Sequence, residues 1–216
     1  MRTLRITTDE LALDLRKFLR ICADNPDLWI EWSRRTTLVI RPEESLEHQI
    51  VRNFLQASLW QWARERHRAG ELLGPFEMVN LGDAGIRRAD VGFFRQRGRF
   101  STPHSLRSVP NFAVVFRGEN ERYIHAYNRA ADFLEAGSEL CWMTDLVTET
   151  VYILRQDGTE EFVQGFSQHL TGEDILPNFL VDLRMFNIDA QDNLHFADPE
   201  QHDSEDDRPG PPHGLK

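Results

Sequence analysis

Lysine is almost absent. Lys17 and Lys216 are the only two among 25 cationic residues, so the other 23 are arginine. A guanidinium stays protonated throughout the working pH range, so the chain holds few amines that could give up a proton in a reaction. Cysteine is as scarce. Cys22 and Cys141 form no C-x-x-C pair, which excludes a disulfide framework and a cysteine-built zinc site, and both are expected as small core residues. No apolar run reaches the roughly 20 residues of a membrane span, and no signal-peptide core follows Arg2 and Arg5. A soluble cytoplasmic protein is the default expectation.

What is present is a chain of 216 residues, 40% hydrophobic and 10% aromatic, enough for one domain with a core. Its net charge of −10 argues against a polycation that wraps nucleic acid along its whole length. That charge is unevenly placed. The last stretch, 189–216, carries eight acids against Arg208 and Lys216 and is rich in proline; it is expected to be a disordered acidic tail of net −6. Between Ile86 and Arg129 the balance reverses, with nine arginines (87, 88, 95, 97, 99, 107, 117, 122 and 129) against Asp90, Glu119 and Glu121, a local +6.

Periodicity orders the elements. Thr7 with Glu10 at capping-box spacing opens a helical pattern that runs to Cys22, stopped by Asn25-Pro26. Leu28–Ile30 and Thr37–Ile40 read as a hairpin, and Glu43 to Arg68 as the longest helix, with Gly70 as its stop. Phe76–Leu81 and Ala89–Phe94 read as a second hairpin; 95–109 as a polar surface loop. Phe112–Phe116 has the unbroken apolar character of a strand buried on both faces. A helix over 121–136 and three strands near 140–143, 150–154 and 161–163 complete the pattern. The expected units are an N-terminal helix over 1–26, a domain over 27–188 and the tail over 189–216.

This order matches a restriction-endonuclease core, in which one carboxylate on a hairpin strand and an acid-x-Lys on the next hold Mg²⁺ and orient a water against phosphorus. From Trp29 to Asp182 the chain resembles the Uma-two family of restriction-endonuclease-like proteins, within the PD-(D/E)xK superfamily. The residues that carry the resemblance are Glu47-His48-Gln49-Ile50-Val51, Arg88-Ala89-Asp90-Val91, Pro110 to Val115, Phe133-Leu134-Glu135-Ala136-Gly137 and Leu140 to Asp145. The resemblance implies an α/β (α+β) fold, a mixed central sheet flanked by helices, and a Mg²⁺-dependent nuclease site. It also implies where the chain departs from its family: the strand carboxylate falls on Val115 and the lysine on Arg129, leaving Asp90 alone of the set.

Candidate site residues follow. Asp90, His48 and Arg129 stand at the catalytic positions; Arg87, Arg88, Arg117 and Arg122 are candidates for phosphate contacts. Asp90 with Glu77, Glu119 or Glu121 is the ligand set available for Mg²⁺ if the site works. Each has a plainer role open to it: an ion pair for Asp90, a structural hydrogen bond for His48, a solvent-facing acid for Glu77, a helix-dipole acid for Glu119 and Glu121. Three functions are in play. One is a nuclease fold with a decayed site that keeps a DNA-binding arginine face and takes no cofactor. The second is an active Mg²⁺-dependent endonuclease with relocated ligands. The third is an interaction module acting through its acidic tail. A second copy of the chain, as a homodimer, is a further partner left open.

Overall fold

The structure is a computed structural model and describes residues 3–8, 11–41, 44–65, 70–74, 77–95 and 106–187. The expected acidic tail lies outside these residues. Two six-stranded sheets form the body. The first has the order β1-β3-β2-β6-β5-β8, with β1 (Leu4–Thr7), β2 (Trp29–Ser33), β3 (Thr37–Arg41), β5 (Met78–Asn80), β6 (Gly85–Arg87) and β8 (Leu106–Arg107). The second has the order β12-β11-β10-β9-β7-β4, with β4 (Glu71–Leu73), β7 (Val91–Phe94), β9 (Phe112–Phe116), β10 (Leu140–Asp145), β11 (Thr150–Arg155) and β12 (Glu160–Gln164). Strands β13 (His169–Gly172) and β14 (Leu176–Asp182) pair separately.

Strand β9 shows how the sequence builds the centre. It lies parallel to β10 and antiparallel to β7, and all five residues are buried. Its large side chains, Phe112, Val114 and Phe116, face helix α2 (Leu46–Glu65), which meets them with Val51, Leu55, Leu59 and Trp62 at four- and three-residue steps. Its smaller ones, Ala113 and Val115, face helix α3 (Tyr123–Glu135), which approaches through Ala126, Ala130 and Phe133. The mixed sheet with a helix on each face is the expected architecture.

Three local expectations need correction. Helix α1 spans Leu15–Asp24 and is capped by Asp14, whose side chain accepts from the Lys17 amide at 2.8 Å. Thr7 instead ends β1, because backbone pairing with Thr37 outcompetes the capping-box signal; its partner Glu10 lies outside the described residues. The second hairpin is also different: β5 pairs with β6, while β7 belongs to the other sheet. Gly85 makes this possible. A Cβ there would sit 1.9 Å from the Trp32 carbonyl oxygen, so only glycine lets β6 pack against β2, and the chain then turns through Arg88–Asp90 into the second sheet. The polar stretch after β7 contains a short strand, β8, paired parallel to β5.

Candidate functional site

Asp90 stands at the seam between the two sheets and is fully buried. Its amide donates to the Val114 carbonyl at 2.9 Å, and its Oδ2 accepts from the Phe116 amide at 2.7 Å. Continuing the β7–β9 register by one step sets Asp90 across from Val115, so a valine packed against α3 stands where the family resemblance places the second carboxylate.

A carboxylate does reach Asp90, but from elsewhere. Glu44, just before α2, feels the charge of Asp90, and its Oε2 accepts from Arg52. Burial, and then the charge of Asp90, push the Glu44 carboxyl up to about 7, against the pull of Arg52 and Arg41. Two carboxylates offer each other only acceptors. Glu44 Oε1 and Asp90 Oδ1 are both buried without a hydrogen-bond partner, and a proton on Glu44 supplies the donor that the pair lacks.

Guanidiniums fill the rest. Arg41 lies 3.9 Å from Asp90 Oδ1 through Nη1 and donates through Nη2 to the Phe116 carbonyl at 3.3 Å. Arg129 donates to the same carbonyl at 2.7 Å and to Glu121 at 2.7 Å. Burial opposes the charge on Arg129, but Glu121, Glu31 and Asp90 outweigh it and raise its affinity for the proton. Burial raises Glu121 less than Arg129 and Arg41 lower it, so its carboxyl sits below its ordinary range. Glu31, in the apolar run of β2, accepts from Arg87 at 3.1 Å and from the Trp29 indole at 3.0 Å. Burial alone would raise it, yet Arg87, Arg129 and Arg41 hold it at about 2. Arg41 and Arg88 also stack over the Trp29 ring, at 5.0 and 5.5 Å.

The other candidates are placed as follows. His48 is buried; its Nε2 donates to the Arg117 carbonyl at 3.0 Å and its Nδ1 accepts from the Ser45 hydroxyl at 2.8 Å, which ties the start of α2 to the end of β9. Arg87 is buried between Glu31 and Asp132. Arg88 is buried beside Trp29. Arg117 is held by Asp145 and by the Glu121 carbonyl. Glu77 accepts from the Gly74 amide at 2.7 Å and pairs with Arg107 of β8, and neither partner belongs to the Asp90 site. Glu119 is exposed in the turn after β9, and Arg122 is exposed at the N-cap of α3. Arg97 and Arg99 lie outside the described residues. Four of the seven described arginines of the +6 segment, Arg87, Arg88, Arg107 and Arg129, are therefore internal; a buried arginine needs a carboxylate, and this fold supplies one for Arg87, Arg107 and Arg129 and for the half-buried Arg117.

The residues do not fit a divalent ion. Mg²⁺ requires near-octahedral oxygen donors, commonly one or two carboxylates plus waters. Here the Phe116 carbonyl already serves two guanidiniums, Val115 offers no donor, and Arg41 and Arg52 bind the two carboxylates that do meet. Among the described residues no group of three or more His, Cys, Asp or Glu could hold a metal, and no helix is long and apolar enough to cross a membrane.

A mixed sheet with α2 and α3 on its faces and an aspartate at the β7–β9 seam is the arrangement of a nuclease-like fold. A solved structure is similar in fold: that of a putative nuclease belonging to DUF820 from Anabaena variabilis, with a TM-score of 0.61 at 11% identity, covering 73% of this chain and 88% of the other. The sequence profile of Uma2, described as a putative restriction endonuclease family, matches residues 15–184, and the chain belongs to that family. The match takes in α1, which stands outside the expected 27–188 unit. No curated protein matches the chain. Restriction-endonuclease-like proteins of this kind usually use a divalent metal.

Proposed function

We propose that this Uma2-type protein has lost the phosphodiesterase chemistry of its fold and serves as a binding or assembly module. The observation that carries this reading is the convergence of Arg41 and Arg129 on the Phe116 carbonyl, beside Asp90 and opposite Val115. A tethered guanidinium there supplies the positive charge that a metal would supply, without a Lewis-acid site or a bound water to ionise. Burial adds support: Asp90 and Arg129 are both closed off from a phosphate in solvent. Plasmid nicking with Mg²⁺ or Mn²⁺ tests it. The expected result is no cleavage beyond that of Asp90→Ala; metal-dependent nicking that vanishes in Asp90→Ala would restore the endonuclease reading, with Glu44 as the second carboxylate.

A retained hold on DNA rests on fewer arginines than the composition suggested. Arg122 is exposed where α3 begins, and Arg5 and His125 lie close enough to share its field. This small cationic mouth is the proposed phosphate contact. Arg122→Ala is expected to weaken duplex binding severalfold and to shallow its salt dependence by about one phosphate contact. Binding that ignores both salt and Arg122 would leave the assembly role alone. The same reading includes a separate N-terminal unit over 1–26, a cytoplasmic setting and a role for the acidic tail in contacts with partners.

A further inference from the structure

Strand β12 closes one end of the second sheet and, among the described residues, pairs only with β11. The bonds at the two ends of this ladder, Arg155 N to Thr159 O at 3.0 Å and Gly165 N to Glu149 O at 2.7 Å, set the alternation between them. Hydrogen-bonded pairs alternate with open ones along an antiparallel ladder, so Glu160, Phe162 and Gln164 turn their N–H and C=O groups away from β11. Edge strands are commonly blunted by charged side chains, proline or a bulge. β12, Glu-Glu-Phe-Val-Gln, has no lysine, proline or break in its register with β11, and its charges are confined to the two glutamates at its start.

The edge is also apolar at its centre. Phe162 is 66% exposed, and its ring continues a surface row through Tyr152 at 6.2 Å and Tyr123 at 5.2 Å from Tyr152. The two acids of the strand are engaged within the chain. Glu161 pairs with Arg155 at 3.0 Å and Glu160 accepts from the Tyr127 hydroxyl.

We infer that β12 pairs antiparallel with β12 of a second copy, about a two-fold axis at Phe162, joining the two second sheets into one. Charge and the central aromatic ring together select the register. Centred on Phe162, the pairing sets Glu160 opposite Gln164 and Glu161 opposite Val163, and Phe162 meets itself as an aromatic cross-strand pair. Centring on Glu160 or Glu161 instead puts like charges directly opposite. A two-fold contact of this kind uses the same patch on both copies and closes at a dimer.

Sedimentation of the full chain over a range of concentrations tests this. The wild type is expected to be dimeric, and Phe162→Lys, which sets two ammonium groups face to face at an exposed position, to weaken association by about tenfold or more. Phe162→Cys gives a second reading. Opposed residues of a hydrogen-bonded pair lie about 5.5 Å apart, within disulfide range, so mild oxidation should trap a covalent dimer faster than for the exposed control Leu180→Cys. A monomeric wild type, a dimer untouched by Phe162→Lys, or cross-linking no faster than the control would each overturn the assignment.

Discussion

Stability is expected to fall as pH rises from about 5 to about 8, and Glu44→Gln to remove most of that fall. The Glu44 carboxyl is pushed from 4.5 up to about 7 by burial and by Asp90, so between those values the folded chain binds a proton that the unfolded chain has released. Stability then declines with pH in that window and is fully present below it. The span corresponds to at most about 3 kcal/mol. Glutamine mimics the protonated carboxyl and can donate to Asp90 without acquiring charge. Urea midpoints for both proteins across this range are the measurement. Equal pH slopes would mean that Glu44 and Asp90 do not share a proton.

Arg129→Met should produce the largest loss of stability, about 3–5 kcal/mol, because it strands Glu121 inside the protein without its cation. It also leaves the Phe116 carbonyl with only the longer bond from Arg41. Pairing the change with Glu121→Gln is expected to recover part of the loss, since the remaining cost is that of a polar group rather than a buried charge. Denaturation of the two single variants and the double variant measures the coupling. Independent, additive effects would show that the pair is not a unit.

The central frame was legible because β9, α3 and β10 follow one another with clear periods, and because Phe112–Phe116 is apolar without interruption. The site was legible only where it lies in those elements. Asp90, Val115 and Arg129 sit in runs whose register is fixed by neighbours, so the family resemblance could place them. Glu44 sits in an irregular stretch ahead of α2, so the helical period that carries Arg52 does not extend to it. Glu31 did leave a signal: an acid flanked by Trp29, Ile30 and Trp32 in a strand is expected to be buried and to need a cation. Arg41 left a fainter one, in step with Val39 on β3. The arginine-rich segment misled in the other direction, because composition counts charges without showing which carboxylates they face. Arg87 and Arg107 belong to short strands whose ion-pair partners, Glu31 and Glu71, lie far off in sequence, and the pairing of β5, β6 and β8 turns them inward.

The guanidinium that stands beside Asp90 has one property no ion shares. A bound metal is a removable cross-link, present in proportion to its free concentration and taken away by any stronger chelator. The charge on Arg41 is attached to β3 by its own side chain, so its local concentration is set by the fold and cannot be diluted. On the proposed reading, a protein held this way is expected to keep the same interior in metal-poor and metal-rich surroundings, and a chelator to leave its unfolding midpoint where it was.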